Sequence, residues 1–277
     1  MLPKHRLMAR RSEQRTADGT ARALSCLTRF FSARRGSLAA LFLVLLPPVL
    51  SCSAVHVPWS GEEPTELNVS FRIQNNLLFP DNVTIQGAEG RFAFATADRQ
   101  TAIDPQFAAR IAPPASKGYV IRIGQRRQIA FRALQVPLHQ VADALLGADV
   151  FPSTAVSIDY RAQLLSFDKN GIHAEGMIMS AFGDEPTVDI VIAGRRTTGI
   201  VDTASPDTLV VPRSLLSLKG DRAAVDVELG GETFGGVDVR VADVHEVRIG
   251  NRLLSKFLIW IDYKNHRIGL WRDPRIL

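Results

Sequence analysis

The chain repeats itself, and that limits its fold more than any other feature. Residues 83–111, VTIQGAEGRFAFATADRQTAIDPQFAARI, lie over residues 190–218, IVIAGRRTTGIVDTASPDTLVVPRSLLSL, without a gap. Identical residues fall at Ile85 and Ile192, Gly87 and Gly194, Thr96 and Thr203, Ala97 and Ala204, Thr101 and Thr208, and Pro105 and Pro212. Later segments repeat in the same order: YVIRIGQ answers VDVELGG, and ALLGADVF followed by VSIDYRAQLLSF answers RLLSKFLIWIDYKNHRIGLW. Repetition of this kind marks supersecondary units that complete one another's apolar faces. Two copies of a β unit are expected, 67–167 and 168–277.

Each copy is written in short apolar runs separated by Gly, Asp and Asn. LNVSFRI, RFAFAT, YVIRIG, TVDIVIAG, VDVRVADV and FLIWIDY all alternate with period two. That spacing predicts many short strands and an all-β fold with a few short helices. The helical candidates are LHQVADALLG (138–147), DPQFAARI (104–111) and PRSLLSL (212–218).

The formal charge of +5 does not describe the folded part. Residues 1–36 hold nine Lys/Arg and two acidic residues, 37–52 hold no charge, and the remainder holds 24 basic and 26 acidic side chains. A nucleic-acid partner is therefore not expected, because the basic excess sits in the leader. Basic residues ending in Arg34-Arg35 precede SLAALFLVLLPPVL, which is too short and Pro-broken for a comfortable membrane span. This is the layout of a secretory leader over 1–52, followed by a polar tether over 53–66. Its end, VLSC, resembles a bacterial lipobox, which implies lipidation at Cys52 and anchoring to an envelope membrane; a plain cleaved signal or an anchor helix are the alternatives. Cys26, the other cysteine, follows no apolar run. Both precede the folded region, so no disulfide or thiol chemistry is expected there.

The most informative stretch is GIVDTASPDTLVVP, 199–212. Apolar residues lead into Asp202, Thr203 and the small Ala204, and a second apolar run follows. Set in a duplicated β unit, this resembles one lobe of a retropepsin-like aspartic peptidase, and the duplication resembles the bilobal pepsin-type arrangement, over roughly residues 75–277. The resemblance implies a catalytic-type carboxylate at Asp202, a loop brace at Thr203, and Ala204 where the family carries Gly. It also implies a cleft between the lobes that accepts an extended peptide. Two carboxylates sharing a proton across a water do the chemistry in that family. The first copy keeps Thr96 and Ala97 but has Ala95 in the carboxylate position, so the dyad within one chain is incomplete. Three outcomes stay open: a peptide-binding pseudopeptidase, a homodimer that brings two Asp202 side chains together, or an active endopeptidase with another acid such as Asp98. An odd offset from Ala95 along an extended segment turns Asp98 to the opposite face. Asp104 and Asp149 are expected at a turn and a helix end.

Other chemistry has little support. LGGETFGG (229–236) reads as a surface hairpin at the family's flap position, with Gly124 as the first copy's only answer. Histidines 56, 139, 173, 245 and 266 show no metal spacing, His173 and Glu175 read as solvated surface, and no cofactor is expected. No Gly-x-Ser-x-Gly elbow occurs. Asp159-Tyr160 and Asp262-Tyr263 mark equivalent points of the two copies, while Trp59, Trp260 and Trp271 are expected to fill core or edge positions.

Overall fold

A computed structural model describes residues 66–113, 118–130, 132–168, 176–216 and 220–272. The leader, the tether up to residue 65, Cys26, Cys52, His56, Trp59, His173 and Glu175 lie outside the described residues, while Glu66, expected in the tether, opens β1. The first half contains β1 (Glu66–Gln74), β2 (Leu77–Pro80), β3 (Val83–Ile85), β4 (Ala88–Glu89), β5 (Phe92–Phe94), β6 (Ala102–Ile103) and α1 (Pro105–Ala108). It continues with β7 (Tyr119–Ile123), β8 (Arg126–Ala130), β9 (Leu134–Gln135), β10 (Ala144–Leu146), a 3-10 turn (Ala148–Val150), β11 (Ala155–Asp159) and β12 (Leu164–Asp168). The second half contains β13 (Ile178–Ala181), β14 (Thr187–Ile192), β15 (Arg195–Val201), β16 (Leu209–Pro212), β17 (Arg222–Leu229) and β18 (Glu232–Ala242). It ends with β19 (Val247–Ile249), α2 (Asn251–Leu254), β20 (Leu258–Asp262) and β21 (Arg267–Trp271). The fold is all-β with a few short helices, as the period-two alternation predicts.

The repeat is visible in the pairing. In the first half β5 and β10 run parallel, with Phe92 opposite Ala144 and Phe94 opposite Leu146. In the second half β15 and β19 do the same, with Gly199 opposite Val247 and Val201 opposite Ile249. Each of these inner pairs is flanked antiparallel by the next strand, β6 or β16, which in turn pairs parallel with β9 or β18. The second half closes into a six-stranded barrel, β14-β15-β19-β16-β18-β17; the first half stays open as two four-stranded sheets, β5-β10-β6-β9 and β4-β3-β7-β8.

A seven-stranded sheet, β13-β21-β20-β11-β12-β1-β2, joins the halves. Its central contact is antiparallel between β11 and β20, one strand from each copy, with Ser157 opposite Trp260. Those two residues hold the same place in VSIDY and IWIDY, so a pseudo-twofold axis passes between them. The Asp-Tyr landmarks serve this join. Asp159 caps the following turn through the amides of Arg161 and Ala162, and Asp262 does so through that of Asn265. Each tyrosine reaches into the other copy: the Tyr160 hydroxyl donates to Asn251 Oδ1 at 2.7 Å, and that of Tyr263 to the Thr96 carbonyl at 3.1 Å. One buried apolar cluster spans both copies, with Phe94, Phe151 and Phe167 in series at 5.0 and 4.9 Å between ring centroids. Each such ring contributes about 2–3 kcal/mol through burial.

Local expectations fare unevenly. The helical candidate over 104–111 is shortened to α1, and Asp104, expected at a turn, caps it by accepting from Gln106 N, with Pro105 in the first turn. The helix expected over 138–147 is absent: His139 and Gln140 take positive φ, and Ala144–Leu146 is the strand β10. The apolar spacing that suggested a helix comes from two turn anchors, Leu138 and Ala142, followed by strand alternation. In PRSLLSL, Pro212 ends β16 and residues 213–215 form a turn, so no helix forms over its described residues. The register of the repeat also shifts. ALLG corresponds to VRIG, residues 247–250, rather than to RLLS, because β10 occupies the position of β19.

Gly147 and Gly250 thus become equivalent, and both touch backbone. A β-carbon on Gly147 would lie 2.6 Å from the Gln100 carbonyl carbon, and one on Gly250 would overlap the Asp207 carbonyl oxygen. Gly147→Ala and Gly250→Ala are each expected to lower stability by about 1–3 kcal/mol. Gly183→Ala, facing open space, is expected to change it by less than about 0.5 kcal/mol; urea unfolding of the three variants checks this.

Candidate functional site

Where the inner parallel strands end, the two copies meet. The Ala95 amide donates to the Leu146 carbonyl at 3.0 Å, and the Asp202 amide to that of Ile249 at 2.9 Å. Each chain then turns sharply: Asp98 N returns to Ala95 O at 3.3 Å, and Ser205 N to Asp202 O at 3.2 Å. Between the turns Thr96 and Thr203 exchange hydrogen bonds. The Thr96 hydroxyl donates to the Val201 carbonyl at 2.5 Å and accepts from the Thr203 amide at 3.1 Å. The Thr203 hydroxyl donates to the Phe94 carbonyl at 2.5 Å and accepts from the Thr96 amide at 3.1 Å. Both threonines are almost fully buried. A hydroxyl has one donor and two acceptor sites, so each side chain is well matched to one carbonyl and one amide. The exchange sets Ala95 and Asp202 at equivalent points across the axis.

The asymmetry begins there. Ala95 has no exposed surface, and Asp202 is 6% exposed. Asp202 Oδ1 accepts from the Ala204 amide at 3.0 Å, and Oδ2 from Arg248 Nη1 at 2.9 Å. Arg248 lies on β19 directly opposite Ile200 of β15, so the parallel pairing delivers its guanidinium beside the Asp202 carboxylate. In the first copy the same register position, opposite Ala93, is Leu145. Leu145 packs with Leu77, Phe79, Ala93, Leu138, Ala142 and Ala204 in a separate apolar cluster. The Ala204 methyl thus has an apolar neighbourhood supplied by the other copy.

Asp98 departs from the strand-parity expectation. Thr96 and Ala97 form a turn, so alternation does not apply, and the Asp98 carboxylate comes within electrostatic reach of Asp202, Arg248 and Glu185. Burial first, then the charges of Asp202 and Glu185, against the pull of Arg248, push its pKa up from 3.8 to about 6. Asp149 supports the first copy from below: Oδ1 accepts from the amide and hydroxyl of Thr101, at 3.0 and 2.7 Å.

A buried polar chain braces the second turn. Asn251 Nδ2 donates to the Thr203 and Asn76 carbonyls, and Asn76 Nδ2 to those of Ser205 and Asp207, at 3.1 Å each. Arg240 Nε and Arg222 Nη2 hold the Asp207 carboxylate at 2.5 and 3.2 Å. Sequence reasoning missed Arg248, Glu185, Asn76 and Asn251. Arg248 did carry a signal, a charge inside an apolar half-strand where the first copy has Leu145, but laying ALLG over RLLS concealed it.

The remaining candidates stand apart from this centre. LGGETFGG forms the β17–β18 hairpin turn, with Gly230 and Gly231 at positive φ and the tip lying near Phe257 and Ile178. Gly124 turns β7 into β8. A cavity of about 750 Å³ in the first half, lined by Arg91, Asp104, Arg110, His139, Gln140 and Asp143 among others, includes no residue of either threonine turn. Among the described residues no group of three or more His, Cys, Asp or Glu could hold a metal ion.

Thr203→Val strands the Thr96 amide and the Phe94 carbonyl, and a loss of about 2–4 kcal/mol is expected. Thr96→Val, which strands the Thr203 amide and the Val201 carbonyl, should cost a similar amount; denaturant unfolding of the two variants checks this. The raised Asp98 pKa has a defined pH signature. The folded state holds this proton more tightly than the unfolded chain, so the associated stability is complete below about pH 4 and declines as pH rises to about 6. For a half-buried group, a change on the order of 1–2 kcal/mol is expected. Asp98→Asn should abolish that decline in unfolding experiments at stepped pH. No protein-family model and no curated protein matches this chain.

Proposed function

We propose that this chain is an aspartic-peptidase-like protein of bilobal type, built from two retropepsin-like repeats, that binds an extended peptide in the interlobe cleft without hydrolysing it. In this reading it is exported and held at the periplasmic side of a bacterial membrane through Cys52. The observation that carries the proposal is the reciprocal Thr96–Thr203 exchange, which makes Ala95 the counterpart of Asp202. A proton-sharing pair of carboxylates needs an acid on each side, and one side holds a methyl group. A homodimer of two second halves is disfavoured because the first half of the same chain already occupies the partner's position at Thr203.

Asp98 favours a second reading, an active aspartic endopeptidase with Asp98 as the partner acid, because burial and the charge of Asp202 push its pKa up to about 6. One experiment separates the two. Peptide libraries are incubated with the protein between pH 3 and 8, and both cleavage and retention are read. Retention of peptides without cleavage is the expected result. Turnover that a pepstatin-type transition-state mimic inhibits, and that both Asp202→Asn and Asp98→Asn abolish, would overturn it in favour of the enzyme.

A further inference from the structure

Three carboxylates and one guanidinium converge on the second threonine turn. Asp98 comes from the turn after β5, Asp202 from the end of β15, Glu185 from the segment before β14, and Arg248 from β19. The Tyr263 hydroxyl group, on the turn after β20, is a further titratable neighbour of Asp98. Arg99, next in sequence to Asp98, is paired with Asp184 on the chain leading to Glu185. Of these groups only Arg248 makes an ion pair with Asp202, and it uses the oxygen that the Ala204 amide leaves open. Leu145, at the same register position in the first copy, shows that this place in the fold accepts an apolar side chain.

Two carboxylates that approach one another in a partly buried site lower their repulsion by retaining a proton between them. A guanidinium bound to one of them removes the need, because it neutralises that carboxylate by charge instead of by protonation. We infer that Arg248 is the positioning residue of the cleft: its ion pair commits the Asp202 carboxylate to a cation on β19, so that Asp202 does not pair with Asp98. This inference rests on the reading of the cleft as an aspartic-peptidase-like site. It adds a second reason for silence. Besides the lost partner at Ala95, the surviving carboxylate is already committed to a cation, and the nearby acid is left without its counterpart.

The test is a carbon-13 NMR titration of the full chain labelled at aspartate carboxyls, with Asp98 assigned through Asp98→Asn. Arg248→Leu is expected to raise the Asp98 midpoint by about one pH unit, and Asp202→Asn to lower it by a similar amount. In the Arg248→Leu background Asp202→Asn should lower it further than in the wild type, because the two carboxylates are then directly coupled. Arg248→Lys, which retains the charge, should leave the midpoint nearly in place, an outcome that a purely packing role for Arg248 would not give. A dispersed amide spectrum establishes that each variant folds, and Arg248→Gln takes the place of Arg248→Leu should the latter unfold. An Asp98 midpoint unmoved by loss of the charge, or shifted equally by Asp202→Asn in both backgrounds, overturns the inference. Peptide retention by the same proteins is read separately. Intact retention with an unmoved Asp98 removes the role of Arg248 and leaves the cleft reading standing, whereas coupled titration with no retention upholds Arg248 and removes the cleft reading.

Discussion

Two hydroxyl groups hold this molecule together at its most demanding point. Thr96 and Thr203 each spend their hydrogen-bonding capacity on the backbone of the other copy, in a place that water does not reach. An unpaired amide or carbonyl there would cost about 1–3 kcal/mol, a sizeable share of a domain's stability. The exchange therefore fixes the two turns relative to one another, and the neighbouring arrangement follows from it. The inner parallel strands end at a defined place, Gly147 and Gly250 must lack side chains to let backbone pass, and the Tyr160–Asn251 and Tyr263–Thr96 contacts bind the copies on either side.

The symmetry of that framework makes the asymmetry of its contents meaningful. Backbone, threonines and close-packed glycines agree between the copies, while the side chains facing the junction do not: Ala95 against Asp202, Leu145 against Arg248. On the first-copy side a small apolar cluster occupies the space, and on the second a charged pair does. A buried ion pair carries a desolvation cost that its attraction only partly offsets. The Asp202–Arg248 pair limits that cost because the guanidinium stays partly exposed and the carboxylate keeps a second donor in the Ala204 amide.

Much of this was legible in the sequence because it lives in local pattern. Alternation announced the strands, and the ungapped repeat placed Thr96 and Thr203, one of its six identities, at equivalent points of the two copies. What was not legible depended on register and on reversals of direction. The segment 138–147 has the spacing of a helix, yet positive φ at His139 and Gln140 ends any such run, and long-range pairing to β5 makes Ala144–Leu146 a strand. The same error of register hid Arg248, since its significance lies in standing where Leu145 stands. Parity failed at Asp98 for a related reason: a turn intervenes after Ala95, and counting along an extended chain no longer predicts the face.

Ser157 and Trp260 face each other at the centre of the shared sheet. If the two halves were separate copies of one chain, the residue on that axis would meet itself, and any substitution would appear on both sides at once. Joined in one polypeptide, the halves carry independent inheritances. A bulky indole can lie against a small hydroxyl residue there, and one turn can carry a carboxylate where the other carries a methyl group. Covalent linkage thus freed each half to change without the consent of its twin, and the unequal junction is what that freedom permits.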